Sequence, residues 1–560
     1  MKQPFLSALL AGSLFLFLSS DPAAFAQAPP TGPYPNFTQL TNRLRTLTNR
    51  HNGLAQLQSI GKSHGGRDIW LLTVGRGNAA RKPAVAVVAG VEAGHLAGTE
   101  LAVQLAEKLL AASGQDSVAR LLNGKMFYIF PSINPDAQEQ FTARPRYERS
   151  GNGADTDDDR DGRLNEDPFE DLNRDGLITH IRIEDPTGTF VPSPDDPRVL
   201  VKADPGKGET GRYIVISEGN DNDRDGAFNE DGAGGVSLDR NFTFDYPIFI
   251  PGSGEMAVSE PENRALLDFL YKAPNVYAVF TFGPYNNLSE APKFDRSKTT
   301  RRIITGVLEK DAPVGEQVSR LYNSQTGLKD APAGPPAKGN FAQTAYYHYG
   351  RFSFSTPGWW VPKAATPADT AKGKKPDAKP SDNEEVKFLR WAESQNLRDV
   401  FVPWQPIDHP DFPGRKAEVG GLAPYARLNP PVSFLNDAAD RHLKFLTAFA
   451  RRMPVIDIVN VRTEKLSDGL TRVTAQVVNT GLLPTGSEIG DRVRFVPKMK
   501  VEMNTGTGQT VVSGRKRLLR APMAAGESME VSFIVSGTGR ATLEAGNAMT
   551  GMKSVEITLR

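Results

Sequence analysis

The sequence predicts an α/β domain followed by a small all-β sandwich, and two patterns carry that prediction. The first is a strand, a glycine-rich turn and a helix in succession. Pro83 to Ala89 (PAVAVVA) is short, apolar and β-branched, as buried parallel strands are. Leu101 to Leu110 carries apolar residues at helical spacing. Between them lies GVEAGHLAGTE, Gly90 to Glu100, which makes this stretch the first half of a βαβ unit. The second pattern begins after Pro454. Segments 455–461, 472–478, 528–535 and 554–559 largely alternate apolar and polar residues, separated by Gly and Asn turns. That pattern fits an immunoglobulin-like sandwich over 455–560.

Taken in chain order, residues 1–26 read as a secretory leader. Lys2 precedes apolar runs at 5–10 and 14–18, and Ala24-Phe25-Ala26 offers a small-x-small cleavage site. A membrane anchor is the alternative, but Gly12 and Ser13 break the apolar core and Asp21-Pro22 closes it. No later segment is apolar for long enough to span a bilayer, so the expectation is an exported protein, periplasmic or secreted. A Pro- and Ala-rich lead-in follows, then a helix from Asn36 to Arg50, and an α/β domain that extends over 27–454. The 560 residues suffice for two or three domains. A net charge of +1 gives no electrostatic case for nucleic acid or an anionic membrane surface. The absence of Cys rules out disulfides, thiolate zinc ligands and thiol catalysis. Nothing in the sequence sets an oligomeric state.

Residues 150–236 form an acidic insertion with an internal repeat. DDDRDGRLNED from Asp157 recurs as DNDRDGAFNED from Asp221, and DLNRDG from Asp171 lies between them. Carboxylate or amide oxygens at alternate positions closing on Gly are the first half of a calcium loop. The expected ligands are Asp157, Asp159 and Asp161, then Asp171, Asn173 and Asp175, then Asp221, Asp223 and Asp225. The bidentate Glu of an EF-hand is missing at the twelfth position, where Pro168, Arg182 and Gly232 stand. Glu166 with Asp167, or Glu230 with Asp231, would close the loops from slightly nearer. A solvated acidic loop is the alternative, but three carboxylates at this spacing repel one another without a counter-ion. Structural calcium is therefore the expectation.

Residues 364–385, rich in Lys, Ala, Pro and Asp, read as a disordered surface loop. Helical pattern resumes at Val386. Residues 409–414 and 420–424 are turn-rich, and a last amphipathic helix runs from about Asn436 to Arg452.

Glu92 and His95 sit in the turn after the first strand, where one carboxylate and one imidazole are able to converge on a metal. On its own such a pair is more often simply solvated at the surface. Its surroundings, however, resemble the zinc metallocarboxypeptidases of the carboxypeptidase A-like family. The matching motifs are IGKSHGGRDI from Ile60, Asn134-Pro135-Asp136, Arg146 with Arg149, LDRNF from Leu238, SEPE from Ser259, the strand 276–282, and GRFSFST from Gly350. The resemblance spans roughly 35–450 and implies a mixed sheet flanked by helices. It also implies zinc on Glu92 and His95, Arg149 at the oxyanion, Arg146 nearby, Arg240 and Asp239 at the substrate carboxylate, and Tyr346 covering the site.

The departures from the family pattern all fall at the chemistry. The family's His-x-x-Glu is exchanged here to Glu92-x-x-His95. Gly283 stands at the third ligand, Pro357 at the general-base Glu, and Asp239 at the Asn of the Asn-Arg pair. Two ligands are one short of a stable zinc site, and proline carries no proton. His64 and His348 are the candidates to replace a ligand. The expectation is a carboxypeptidase-like protein that keeps a cleft for peptides or peptide-like fragments and has impaired or lost hydrolysis. The alternative is an active metallocarboxypeptidase with a non-standard ligand set.

Overall fold

A computed structural model describes residues 34–560 apart from 156, 158–161, 166, 230–234, 336 and 363–382. The leader at 1–26, Asp159, Asp161, Glu166, Glu230, Asp231 and almost all of the loop expected at 364–385 therefore lie outside the described residues.

Among the described residues ten strands precede residue 360: β1 (Ala55–Lys62), β2 (Asp68–Val74), β3 (Ala84–Ala89), β4 (Met126–Phe130), β5 (His180–Glu184), β6 (Phe190–Pro192), β7 (Leu200–Lys202), β8 (Tyr213–Ser217), β9 (Val276–Phe282) and β10 (Phe352–Thr356). The central sheet has six strands in the order β1-β2-β4-β3-β9-β10. β1, β2 and β4 pair antiparallel, whereas β4, β3, β9 and β10 pair parallel, so the sheet is mixed. Every residue of β3, β4, β9 and β10 is buried. This explains the nearly continuous apolar runs of β3, β4 and β9, since helices cover both faces.

The two-residue period of a strand sorts β3 between two cores. Val85, Val87 and Ala89 pack with Leu101, Leu105 and Leu109 of the helix Leu96–Ala111 and with Phe445 and Phe449 of the helix Leu435–Arg452. Ala84, Ala86 and Val88 face the other core, with Leu266 and Leu270 of the helix Pro261–Lys272.

One feature departs from the sequence reading. Of the two segments read as turn-rich, 409–414 is turn, whereas 420–422 ends a strand of a second sheet. β11 (Phe401–Ile407) and β12 (Ala417–Leu422) join the insertion strands in the six-stranded order β11-β12-β5-β8-β6-β7. Pro403 and Pro406 are tolerated because β11 is an edge strand. Gly420 hides the strand from pattern reading, yet the Cβ of any other residue there would lie 2.9 Å from the Trp404 backbone. The insertion is thus a folded layer with its own small core of Ile181, Ile183, Ala417 and Val419. The helix expected from Val386 opens two residues earlier, at Glu384, because the Asn383 side chain caps Glu385 and Val386 N–H.

After Pro454 come β13 (Ile456–Ser467), β14 (Leu470–Asn479), β15 (Met499–Asn504), β16 (Thr510–Ser513), β17 (Arg517–Arg520), β18 (Ser528–Ser536), β19 (Gly539–Asn547) and β20 (Gly551–Leu559). They form two four-stranded sheets, β13-β14-β18-β16 and β17-β15-β19-β20, around one shared core. Their alternating burial, clearest in β14, is that of a sandwich with one wet face per sheet. The sandwich touches the α/β part through Tyr277 hydroxyl to Pro484 carbonyl (2.8 Å) and Ser487 hydroxyl to Gly350 carbonyl (2.8 Å). A Cβ on Gly350 would lie 2.7 Å from Gly490 Cα, so the two backbones meet only because both are glycine.

Candidate functional site

The carboxyl ends of β3, β4, β9 and β10 share one edge of the sheet, the place where open α/β folds carry their sites. β3 delivers the turn with Glu92 and His95. Gly90 enters it at φ 64°, and a Cβ there would lie 2.9 Å from Ser132 Cα. His95 is 3% exposed and precedes the helix Leu96–Ala111. Its Nδ1 has no hydrogen-bond partner and faces the first helical turn, where a Cβ on Gly98 would lie 2.7 Å away. Burial lowers the ring to about pKa 4, only partly opposed by the carbonyls of Phe282 and Pro357. The imidazole is neutral and packed into the base of the turn.

Glu92 is half-buried on the other side of the turn. Burial raises its pKa, Arg240 and the Gly94 N–H pull it down, and Glu148 pushes it up. Asp239 accepts the Phe341 N–H at 2.9 Å and is pushed to about 7, first by burial and then by Glu92. The structure thus brings Glu92, Asp239 and the exposed Arg240 into one electrostatic neighbourhood, whereas the polar partners of the His95 ring are the Phe282 and Pro357 carbonyls.

The other expected residues have defined partners. The Arg149 N–H donates to the Tyr425 hydroxyl at 3.1 Å, and its guanidinium donates to the Asn152 carbonyl. Arg146 lies 5.4 Å from the Phe141 ring centroid. The Tyr346 hydroxyl donates to Asp311 at 2.8 Å and accepts the Leu308 N–H at 3.1 Å. Asp311 also accepts the N–H groups of Glu488 and Ile489 (2.7 and 3.1 Å), so Tyr346 is tied to the start of a helix in the sandwich domain. Tyr346 lines a cavity of about 60 Å³ with Tyr285, Asn287, Gln343, Tyr347 and Ser353. Gly283 has room for a side chain, because a Cβ there would meet only the Thr281 methyl at 3.7 Å. His348 bonds Thr243 at 2.7 Å.

Among the described residues, two groups of three or more metal-capable side chains have ligand atoms within 4.8 Å of one another: His64–Glu260–Glu262 and Asp221–Asp223–Asp225. Neither contains Glu92 or His95. The donors that the resemblance assigns to zinc therefore do not fit a three-ligand site: one imidazole faces inward, one carboxylate sits beside Asp239, and the residue implied as third is glycine.

Sequence reasoning raised His64 only as a spare ligand and missed its partners Glu260 and Glu262. The signal was present in SEPE, two Glu flanking Pro at a helix start. In the acidic loops, Asp171 accepts Asp175 and Gly176 N–H, and Asp221 accepts Arg224 and Gly226 N–H. Asp157 likewise accepts Gly162 N–H at 3.2 Å. Asp167 is committed elsewhere, accepting both Asn222 nitrogens at 3.0 Å and the Asn229 N–H.

Comparison with known proteins adds the following. Residues 40–180 match the family "Zinc carboxypeptidase", and residues 455–558 match "Domain of unknown function (DUF8731)". Carboxypeptidase D of Drosophila melanogaster is 33% identical over 108 residues, 19% of this chain and 8% of that protein. Carboxypeptidase M of Mus musculus is 30% identical over 100 residues, 17% of this chain and 23% of that protein. The match therefore spans less than a quarter of either relative. Thrombin activatable fibrinolysis inhibitor aligns with a TM-score of 0.41 at 12% identity, covering 74% of this chain and 76% of that one. The chain is zinc-metallocarboxypeptidase-like. Among the described residues, no helix is long and apolar enough to cross a membrane.

Proposed function

We propose that the chain is an exported carboxypeptidase-like protein whose cleft binds peptides or peptide-like fragments and whose hydrolytic centre at Glu92 and His95 is lost. One observation carries this reading: His95 is buried and neutral, with its free nitrogen against its own helix, while the third ligand position is Gly283. Arg240, exposed beside Glu92 and Asp239, is the group expected to meet a peptide carboxylate; Arg146, Arg149 and Tyr346 remain candidates only through the family resemblance. The test is release of carboxy-terminal residues from peptides by zinc-loaded protein, with peptide binding followed in parallel. Binding without release is expected. Turnover that His95→Ala abolishes would establish the alternative, an active carboxypeptidase with a non-standard ligand set.

Structural calcium in the acidic loops belongs to the same reading. Its support is the clustering of Asp221, Asp223 and Asp225 and the shared backbone of two loops, left-handed at Arg174 and Gly176 and again at Arg224 and Gly226. Chelation should lower the melting temperature and open 150–236 to protease, and Asp225→Ala should do part of the same. An unchanged melt and digestion pattern rejects calcium. Residues 455–560 should fold alone with a cooperative, strand-rich melt.

A further inference from the structure

The cluster at His64, Glu260 and Glu262 is built from two chain segments almost two hundred residues apart. β2 runs antiparallel to β4, so the β1–β2 turn bearing His64 lies at the end where β4 finishes. The helix Pro261–Lys272 leads into β9, so its start, with Glu260 and Glu262, lies over the same edge of the sheet. β2 is two strands from β3, which separates the cluster from Glu92 by roughly 10 Å at ordinary strand spacing.

His64 Nε2 is 3.0 Å from Glu260 Oε2, and the His64 N–H donates to Glu262 Oε1 at 3.0 Å. Asn152 Nδ2 donates to Glu260 Oε2 at 2.7 Å and to Glu262 Oε2 at 3.0 Å. The Ser259 hydroxyl donates to Glu260 Oε1 at 2.7 Å. The turn itself is fixed by Asp136, which accepts from the Ser63 hydroxyl (2.7 Å), the Gly65 N–H (2.8 Å) and Arg67 (2.8 Å). A Cβ on Gly65 would lie 2.5 Å from Asp136, so this close hold on the turn needs glycine.

The charges do not balance. Glu260 is 5% and Glu262 0% exposed, and among the described residues no lysine or arginine pairs with either. Burying two carboxylates side by side without a cation costs several kcal/mol. The start of the helix offsets part of this through its exposed N–H groups, but that favours an anion. It does not explain an imidazole brought in from a separate turn with its Nε2 on the Glu260 carboxylate.

We propose that His64, Glu260 and Glu262 form a metal centre for a zinc-class divalent cation, separate from Glu92 and His95. One imidazole nitrogen and two carboxylates suit zinc and its first-row neighbours better than calcium or magnesium, which take oxygen donors throughout. Asn152 and Ser259 fix the orientation of the carboxylates by hydrogen bonds, as the hydrogen-bonding partners of metal ligands do. The His64 side chain is 40% exposed, which leaves the remaining coordination position open to water.

The test uses the full chain stripped with chelator and titrated with zinc alone in excess calcium, so that the acidic loops do not compete. Elemental analysis reads the stoichiometry, and cobalt substituted for zinc reads coordination through its visible spectrum. One equivalent of zinc is expected, with affinity lowered more than about 100-fold in His64→Ala, since even residues behind the ligands contribute 10- to 100-fold. His64 is exposed, so this variant should keep the wild-type circular dichroism. Glu260→Gln should weaken zinc as well, and His95→Ala should leave it unchanged. Failure of the stripped protein to bind zinc overturns the proposal. So does equal affinity in His64→Ala, or zinc lost only on changing Glu92 or His95.

Discussion

The turn after β3 and the turn between β1 and β2 each present a histidine at the same edge of the sheet, and they treat it in opposite ways. His95 has a carboxylate three residues away at a spacing that suggests a metal, yet its ring is buried against its own helix. His64 has no such neighbour in sequence, yet it meets two carboxylates from the helix Pro261–Lys272. The lesson is that a ligand set is made by convergence of side chains. Spacing along the chain proposes one and does not guarantee it.

The largest expected effect lies in the β1–β2 region. Asn152→Ala removes the amide that donates to both Glu260 and Glu262 and should cost about 3 kcal/mol in the metal-free protein. Denaturant unfolding in chelator should show the loss, and added zinc should recover part of it. A variant as stable as wild type would mean that the two carboxylates do not depend on this shared donor.

The buried histidines predict a pH window of nearly the same size. His442 is buried beneath Phe282, bonded to Tyr322 at 3.1 Å and to the Ala438 carbonyl at 2.7 Å, and burial lowers it from 6.5 to about 4. The unfolded chain binds this proton more tightly than the folded one, so stability is complete above pH 6.5 and falls toward pH 4. The loss from this group is on the order of 3 kcal/mol. His442→Gln should reduce the slope of unfolding free energy across that range, with the buried His95 keeping the remainder; an unchanged slope assigns the acid sensitivity to other groups.

Smaller effects separate glycines that must be glycine from one that need not be. Gly490→Ala forces a methyl group against Val496 and the Gly350 carbonyl and should cost about 2 kcal/mol, loosening the sandwich toward protease. Gly283→Ala should stay within about 1 kcal/mol of wild type in thermal melts, because the space beside it is open. A large loss at Gly283 would show that glycine is needed there for the backbone, with no bearing on a missing ligand.

Much of the fold was legible. β3 and the helix after it, the helix Leu435–Arg452 and four sandwich strands follow from apolar periodicity, because each buries one stripe or is buried all round. The second sheet was not legible, since Pro403, Pro406, Gly420 and Gly421 read as turn residues when only neighbours in sequence are considered. The site was partly legible. The motif residues Glu92, Asp239 and Arg240 do come together, but the direction of the His95 ring depends on Gly98, Phe282 and Pro357, far apart in the chain. His64 with Glu260 and Glu262 stayed hidden for the same reason.

The placement of the helix Leu435–Arg452 also has a kinetic consequence. Phe445 and Phe449 cover Phe280 and Phe354 on one face of the sheet, and no earlier segment supplies those rings. β3 pairs with β9 only after the whole insertion has been made, and the part of that face at Phe280 and Phe354 lacks the rings of Phe445 and Phe449 until residue 452 is available. Contacts this distant in sequence make folding slow and leave sticky intermediates. Chains cut short before Leu435 should therefore collect as aggregates, and the full chain should refold best at low concentration.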